Sequence, residues 1–104
     1  MSLYGEWKEA TIASGASSSS AVDLGRDYDW LSLEIPEMTT SQLYLQVAEA
    51  LASTYYDLGR DTTTVEESFN HADVWQIGGW RYIKIISTAV QGAQRLIRVR
   101  GMRY

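Results

Sequence analysis

Apolar and polar residues alternate one for one in run after run of this chain, and that alternation restricts its fold more than any other feature. In Trp80-Arg-Tyr-Ile-Lys-Ile-Ile, Ile83 and Ile85 take one side while Tyr82 and Lys84 take the other. In Gln94-Arg-Leu-Ile-Arg-Val-Arg, Ile97 and Val99 oppose Arg98 and Arg100. A two-residue period marks a half-buried strand, because successive side chains leave opposite faces of a sheet. The second run closes the sequence, so the final element is read as a strand paired with the one before it.

The same pattern predicts strands over residues 7–12, 21–24, 30–35, 42–47, 54–58, 62–66, 74–77, 80–86 and 94–100. Turn chemistry separates them at Ser14-Gly15, Gly25-Arg26-Asp27, Pro36 to Ser41, Gly59-Arg60-Asp61, Gly78-Gly79 and Gln91-Gly92. Pro36, the one proline, ends the Leu31/Leu33/Ile35 strand because it has no amide to donate. Leu43, Leu45 and Val47 fit a strand, while Ala48-Glu-Ala-Leu-Ala52 favours a short helical turn by propensity. The serine-rich tract 13–20 reads as a loop or the approach to a strand. Many short strands with regular turn signals point to an all-β, antiparallel β-sandwich of jelly-roll type with about eight strands.

Residues 1–6 read as an N-terminal arm and residues 7–104 as a single domain, since 104 residues provide for one core. That core is expected from Ile12, Val22, Leu24, Leu31, Leu33, Ile35, Leu43, Leu45, Val47, Leu58, Val65, Ile77, Ile83, Ile85, Ile97 and Val99. With no cysteine, packing rather than disulfides must stabilise the fold. The first residues carry neither the basic nor the apolar part of a secretory signal, and no apolar run spans a bilayer, so folding in a cytosol and no membrane partner are expected.

Net charge is −4, which argues against a nucleic-acid partner. The charge is polarised: residues 1–52 hold eight acids and two bases, and residues 53–104 hold five acids and seven bases. Arg95, Arg98, Arg100 and Arg103 crowd the final ten positions. Such polarity suits head-to-tail contact between copies or docking on an acidic partner, although a strand with a solvated basic face has the same composition.

Catalytic chemistry is sparse. The single histidine, His71, has no nucleophile motif around it, and aspartates such as Asp23, Asp27 and Asp29 sit where turns favour them. The adjacent Glu66 and Glu67 face opposite ways on a strand, so they make no acid–base pair. The reading is therefore a non-enzyme without cofactor or metal. Four Trp and seven Tyr against one Phe remain the strongest functional signal, since rings with a polar tip suit interfaces. The candidate contact residues are Leu3, Tyr4, Trp7, Trp75, Trp80, Tyr82, Arg98, Arg100 and Arg103.

The succession Ala21-Val-Asp-Leu-Gly25, Trp30-Leu-Ser-Leu-Glu-Ile-Pro36, Gln42-Leu-Tyr-Leu-Gln-Val47, Tyr55-Tyr-Asp-Leu58 and Trp80-Arg-Tyr-Ile-Lys-Ile resembles small β-sandwich proteins encoded among the structural genes of tailed bacteriophages. The resemblance covers about residues 20–100 and departs where the Gly-rich loop after the Gln-Val strand is replaced by Ala48-Glu-Ala-Leu-Ala52. It implies a virion protein, foremost a capsid decoration (cement) subunit that bridges neighbouring capsomers. The implied partners are the major capsid protein or other virion subunits, with homo-oligomerisation and a virion location. A neck or tail component is the alternative within that class. A carbohydrate-binding module, with sugar stacked on Trp75, Trp80 and Tyr82, is the alternative outside it.

Overall fold

The computed structural model describes residues 3–59 and 61–103. The first two residues of the expected arm, and Arg60 of the expected Gly59-Arg60-Asp61 turn, lie outside the described residues. Among the described residues the structure holds eight strands and no helix. They are β1 (Leu3–Tyr4), β2 (Lys8–Ile12), β3 (Val22–Ile35), β4 (Ser41–Ala48), β5 (Tyr56–Asp57), β6 (Thr63–Val65), β7 (His71–Ser87) and β8 (Arg95–Arg103). All pairings between them are antiparallel, in the order β1-β8-β3-β7-β4-β5, with β2 also on β8 and β6 also on β4. The fold is an antiparallel β-sandwich of jelly-roll type.

Two long strands, β3 and β7, belong to both layers. Their near halves pair at Val22↔Ile83 and Asp23↔Tyr82, and their far halves pair from Trp30↔Gln76 to Ile35↔His71. Between these stretches the register shifts twice, around Tyr28↔Trp80. In one layer β8 lies between the far half of β3 and the β1/β2 edge. In the other, β4 lies against the near half of β7 and carries β5 and β6. Strands that pass between layers through a bend are a standard way to make a sandwich corner.

The corner is where the expected turns fell. Gly25-Arg26-Asp27 and Gly78-Gly79 do not reverse the chain; they bend continuous strands. Gly25, Gly78 and Gly79 have φ of 92°, 69° and 96°, values that side chains with a Cβ resist. Asp23 holds the kink, its Oδ1 accepting the Gly25 amide at 2.8 Å and the Arg81 Nε at 2.7 Å. The bulge is required by the packing: inward residues of β3 are even before it (Val22, Leu24) and odd after it (Leu31, Leu33, Ile35).

Two further expectations are corrected. β8 pairs with β3, β2 and β1 rather than with β7, because β3 and β4 already occupy the two edges of β7 where a hairpin would form. Residues 49–53 make a turn closed by Ser53 N–H to the Ala50 carbonyl (3.1 Å), not a helical turn, and Ala48 stays in β4. So short a segment does not offset the cost of nucleating a helix.

The two layers close on one cluster. Every expected core residue is buried except Leu58, which is half-buried against it. The cluster also takes in Ala10, Tyr28, Met38 and Trp75. Tyr28 lies across the backbone of Gly101 and Gly5, and a Cβ at Gly101 would run into its ring. The Gly5 amide donates to the Gly101 carbonyl at 2.8 Å, so the ring packs beneath a backbone-to-backbone contact.

One end of the sandwich is tied by polar groups. The buried Gln91 accepts from the Thr39 amide (2.9 Å) and Arg95 Nε (3.2 Å), and its Nε2 donates to Ser87 Oγ (2.9 Å) and the Ala89 carbonyl (3.2 Å). The serine tract runs between layers, with the Ser19 amide donating to the Ile85 carbonyl and the Ser20 amide to the Thr11 carbonyl. At the edge of the far half of β7, the Gln76 and Val74 amides donate to Asp61 Oδ2 and Asp73 Oδ1, both at 2.7 Å. Carboxylates there occupy amides that another strand would otherwise take.

Candidate functional site

Alternation along β8 sends Ile97 and Val99 into the core and Leu96, Arg98 and Arg100 out. The pairing sets Ser32 and Glu34 of β3 beside Arg100 and Arg98, and then Val74 and Ala72 of β7 beside those. On the other flank β1 and the segment leading into β2 bring Tyr4 and Trp7. The Arg100 guanidinium lies 4.8 Å from the Trp7 ring centre and 5.1 Å from that of Tyr4, and the Arg98 guanidinium lies 5.4 Å from Trp7. Rings and cations thus form a ladder in the order Tyr4, Arg100, Trp7, Arg98. Each step is a cation–π contact of about 0.5–1 kcal/mol at an exposed site.

The two arginines differ in their acids. Arg98 Nη1 lies 3.5 Å from Glu34 Oε1, a half-exposed pair. Among the described residues no carboxylate pairs with Arg100, and its buried Nε has no hydrogen-bond partner. Beside the ladder runs a shallow groove of about 480 Å³ lined by Trp7, Ser32, Glu34, Ala72, Asp73 and Val74. Val74 and Leu96 are exposed apolar residues on this face.

The structure gathers Tyr4, Trp7, Arg98 and Arg100 and places Leu3 and Arg103 next to them, paired at the end of β8. Leu3 is half-buried against the core, and Arg103 Nε lies 3.9 Å from Asp29 Oδ2. Trp75 is no contact residue: it is 2% exposed, and its Nε1 donates to Thr63 Oγ1 at 2.9 Å. It points inward because Trp75 and Ile77 share a phase on β7. Trp80 sits half-buried at the corner opposite Tyr28. Tyr82 faces out of the other layer, between Asp23 and Ala48, with the Arg81 guanidinium 5.1 Å from its ring. The row of Trp75, Trp80 and Tyr82 expected for sugar stacking does not form.

That second face carries a smaller cluster the sequence reading omitted, with Lys84 Nζ 4.5 Å from the Tyr55 ring. Burial pushes the Tyr55 hydroxyl above its ordinary pKa, with Tyr82 and Asp23 adding to the shift. On the first face, Glu34, Val74 and Leu96 were also passed over. Each is the outward member of an alternating run, a signal that becomes a site only once the register is known. The buried His71 Nε2 has no hydrogen-bond partner among the described residues, and the ring is tilted against Phe69 with centres 6.5 Å apart. Among the described residues no group of three or more His, Asp or Glu stands together.

No protein-family model matches the sequence, and no curated protein matches it. Solved structures do match the fold. The SPBc2 prophage-derived protein YomS is similar over 96% of this chain and 95% of its own, at 12% identity and a TM-score of 0.58. A mutant of a carbohydrate binding module of family 29 is similar over 93% of this chain and 92% of its own, at 7% identity and a TM-score of 0.51. At these identities the likeness is one of fold.

Proposed function

We propose that this chain is a structural subunit of a tailed-phage virion, acting as a non-catalytic capsid decoration (cement) protein that bridges neighbouring capsomers. The observation that carries the reading is the surface ladder on one sheet face, with Tyr4 and Arg98 exposed and Trp7 and Arg100 half-buried. Tryptophan, tyrosine and arginine are the residues that dominate protein interfaces, and here they are held rigid by the sheet beneath. A fold shared with a prophage-derived protein and the run of phage-like strand motifs support the same class. The partner would be the major capsid protein or another virion subunit, and the site of action the virion.

The test is binding of the purified full chain to undecorated heads of its own phage. Co-sedimentation with heads is the expected result. A protein that binds tail or neck particles instead would move it to that station. Failure to bind any virion particle, or retention on immobilised glycans, would remove the proposal.

A further inference from the structure

The turn between β6 and β7 carries Glu66, Glu67 and Phe69, all exposed, with Phe69 at 57%. Ser68 between them has φ of 70°, so the tip is a tight, defined knob rather than an extended strand. From residue 61 to 80 the chain holds Asp61, Glu66, Glu67 and Asp73 and no lysine or arginine. Among the described residues neither Glu66 nor Glu67 has a cationic partner. Among the described residues Arg100 has no acid of its own, and it is clamped between two rings. Stacking occupies the faces of a guanidinium and, with the Arg100 Nε buried, leaves the terminal Nη groups to grip a carboxylate.

We propose that the Glu66-Glu67-Ser-Phe69 tip of one copy docks on the Tyr4–Arg100–Trp7–Arg98 ladder of a second copy. The carboxylates meet Arg100 and Arg98, and the Phe69 ring enters the groove between Trp7 and Val74. This rests on the assembly-subunit reading and names the surfaces through which copies meet.

Sedimentation velocity of the full chain across a concentration series, at low and high salt, tests it. The wild type is expected to self-associate, less strongly at high salt. Glu66→Arg with Glu67→Arg, and separately Arg98→Glu with Arg100→Glu, should each weaken association by more than about tenfold. The chain carrying all four reversals should associate again. A wild type that stays monomeric throughout, or a four-reversal chain that folds and stays monomeric, overturns the docking. Should the arginine variants lose their circular-dichroism signature, Phe69→Ser decides, because that ring lies outside the core: weakened association supports the docking, and unchanged association overturns it. Head binding by a chain that never self-associates overturns the docking and leaves the decoration role standing. Self-association without head binding supports the docking and removes the decoration role.

Discussion

Gln91 is wholly buried, yet both ends of its amide are bonded, and it ties its own loop to the distant segment at Thr39. Its backbone adds two more ties, accepting from the Gly15 amide and donating to the Ala16 carbonyl, each at 2.9 Å. Replacing it with Met keeps the volume and leaves the Thr39 amide and the Ser87 hydroxyl without this partner. The Ser87 hydroxyl keeps Ser41 and Ala89 as partners; orphaning one buried polar group costs about 1–3 kcal/mol, so Gln91→Met is expected to lower the unfolding free energy by roughly 1–3 kcal/mol. Urea denaturation reads the loss, and hydrogen exchange should show the Thr39 amide losing protection first. Unchanged stability would mean the amide does not hold the loops together. Gln91-Gly92 read as an ordinary turn in the sequence, because a single polar residue between strands has no periodicity to betray its burial.

Among elements, the bent strands β3 and β7 define the architecture, and their corner depends on the Asp23–Arg81 pair. The Arg81 hydrogen bonds, with help from the Gly25 amide, hold the Asp23 carboxyl well below its usual value of 3.8, at about 2. A folded-state pKa below the unfolded one makes the contribution complete above about pH 4 and loses it as pH falls through about 2. Both side chains are about two-fifths exposed (39% and 40%), so screening keeps the effect small. Asp23→Asn is expected to flatten the fall in urea midpoint between about pH 5 and about pH 2, leaving the remaining acids to produce what is left. An unaltered pH profile would count against the pair. The corner was partly legible. In β7 the inward residues Trp75, Ile77, Ile83 and Ile85 keep one phase across Gly78-Gly79, which a reversing turn need not preserve. In β3 the switch from Leu24 to Leu31 is equally compatible with a turn or a bulge, and alternation alone cannot separate them.

For the whole molecule, the pairing of Leu3 with Arg103 joins the two ends of the described chain, and β8 reaches back to β1, β2 and β3. Such non-local pairing makes loop closure come before any reward, so folding is expected on the slow millisecond-to-second scale of β-sandwiches. Stopped-flow refolding followed by tryptophan fluorescence checks this through the burial of Trp75, and a microsecond phase carrying the full amplitude would contradict it. The polarity of charge noted in the sequence also acquires a location at this scale: a basic ladder on β8 and an acidic knob before β7. Alternation, a local property of each run, by itself determined the all-β class, the inward face of each strand and nearly all the core. Which strands lie side by side is non-local, set by bends that carry β3 and β7 between layers and by edges already taken. Only that tertiary arrangement brought Tyr4 and Trp7 against Arg98 and Arg100, because a contact surface consists of neighbours across strands, and sequence spacing does not record them.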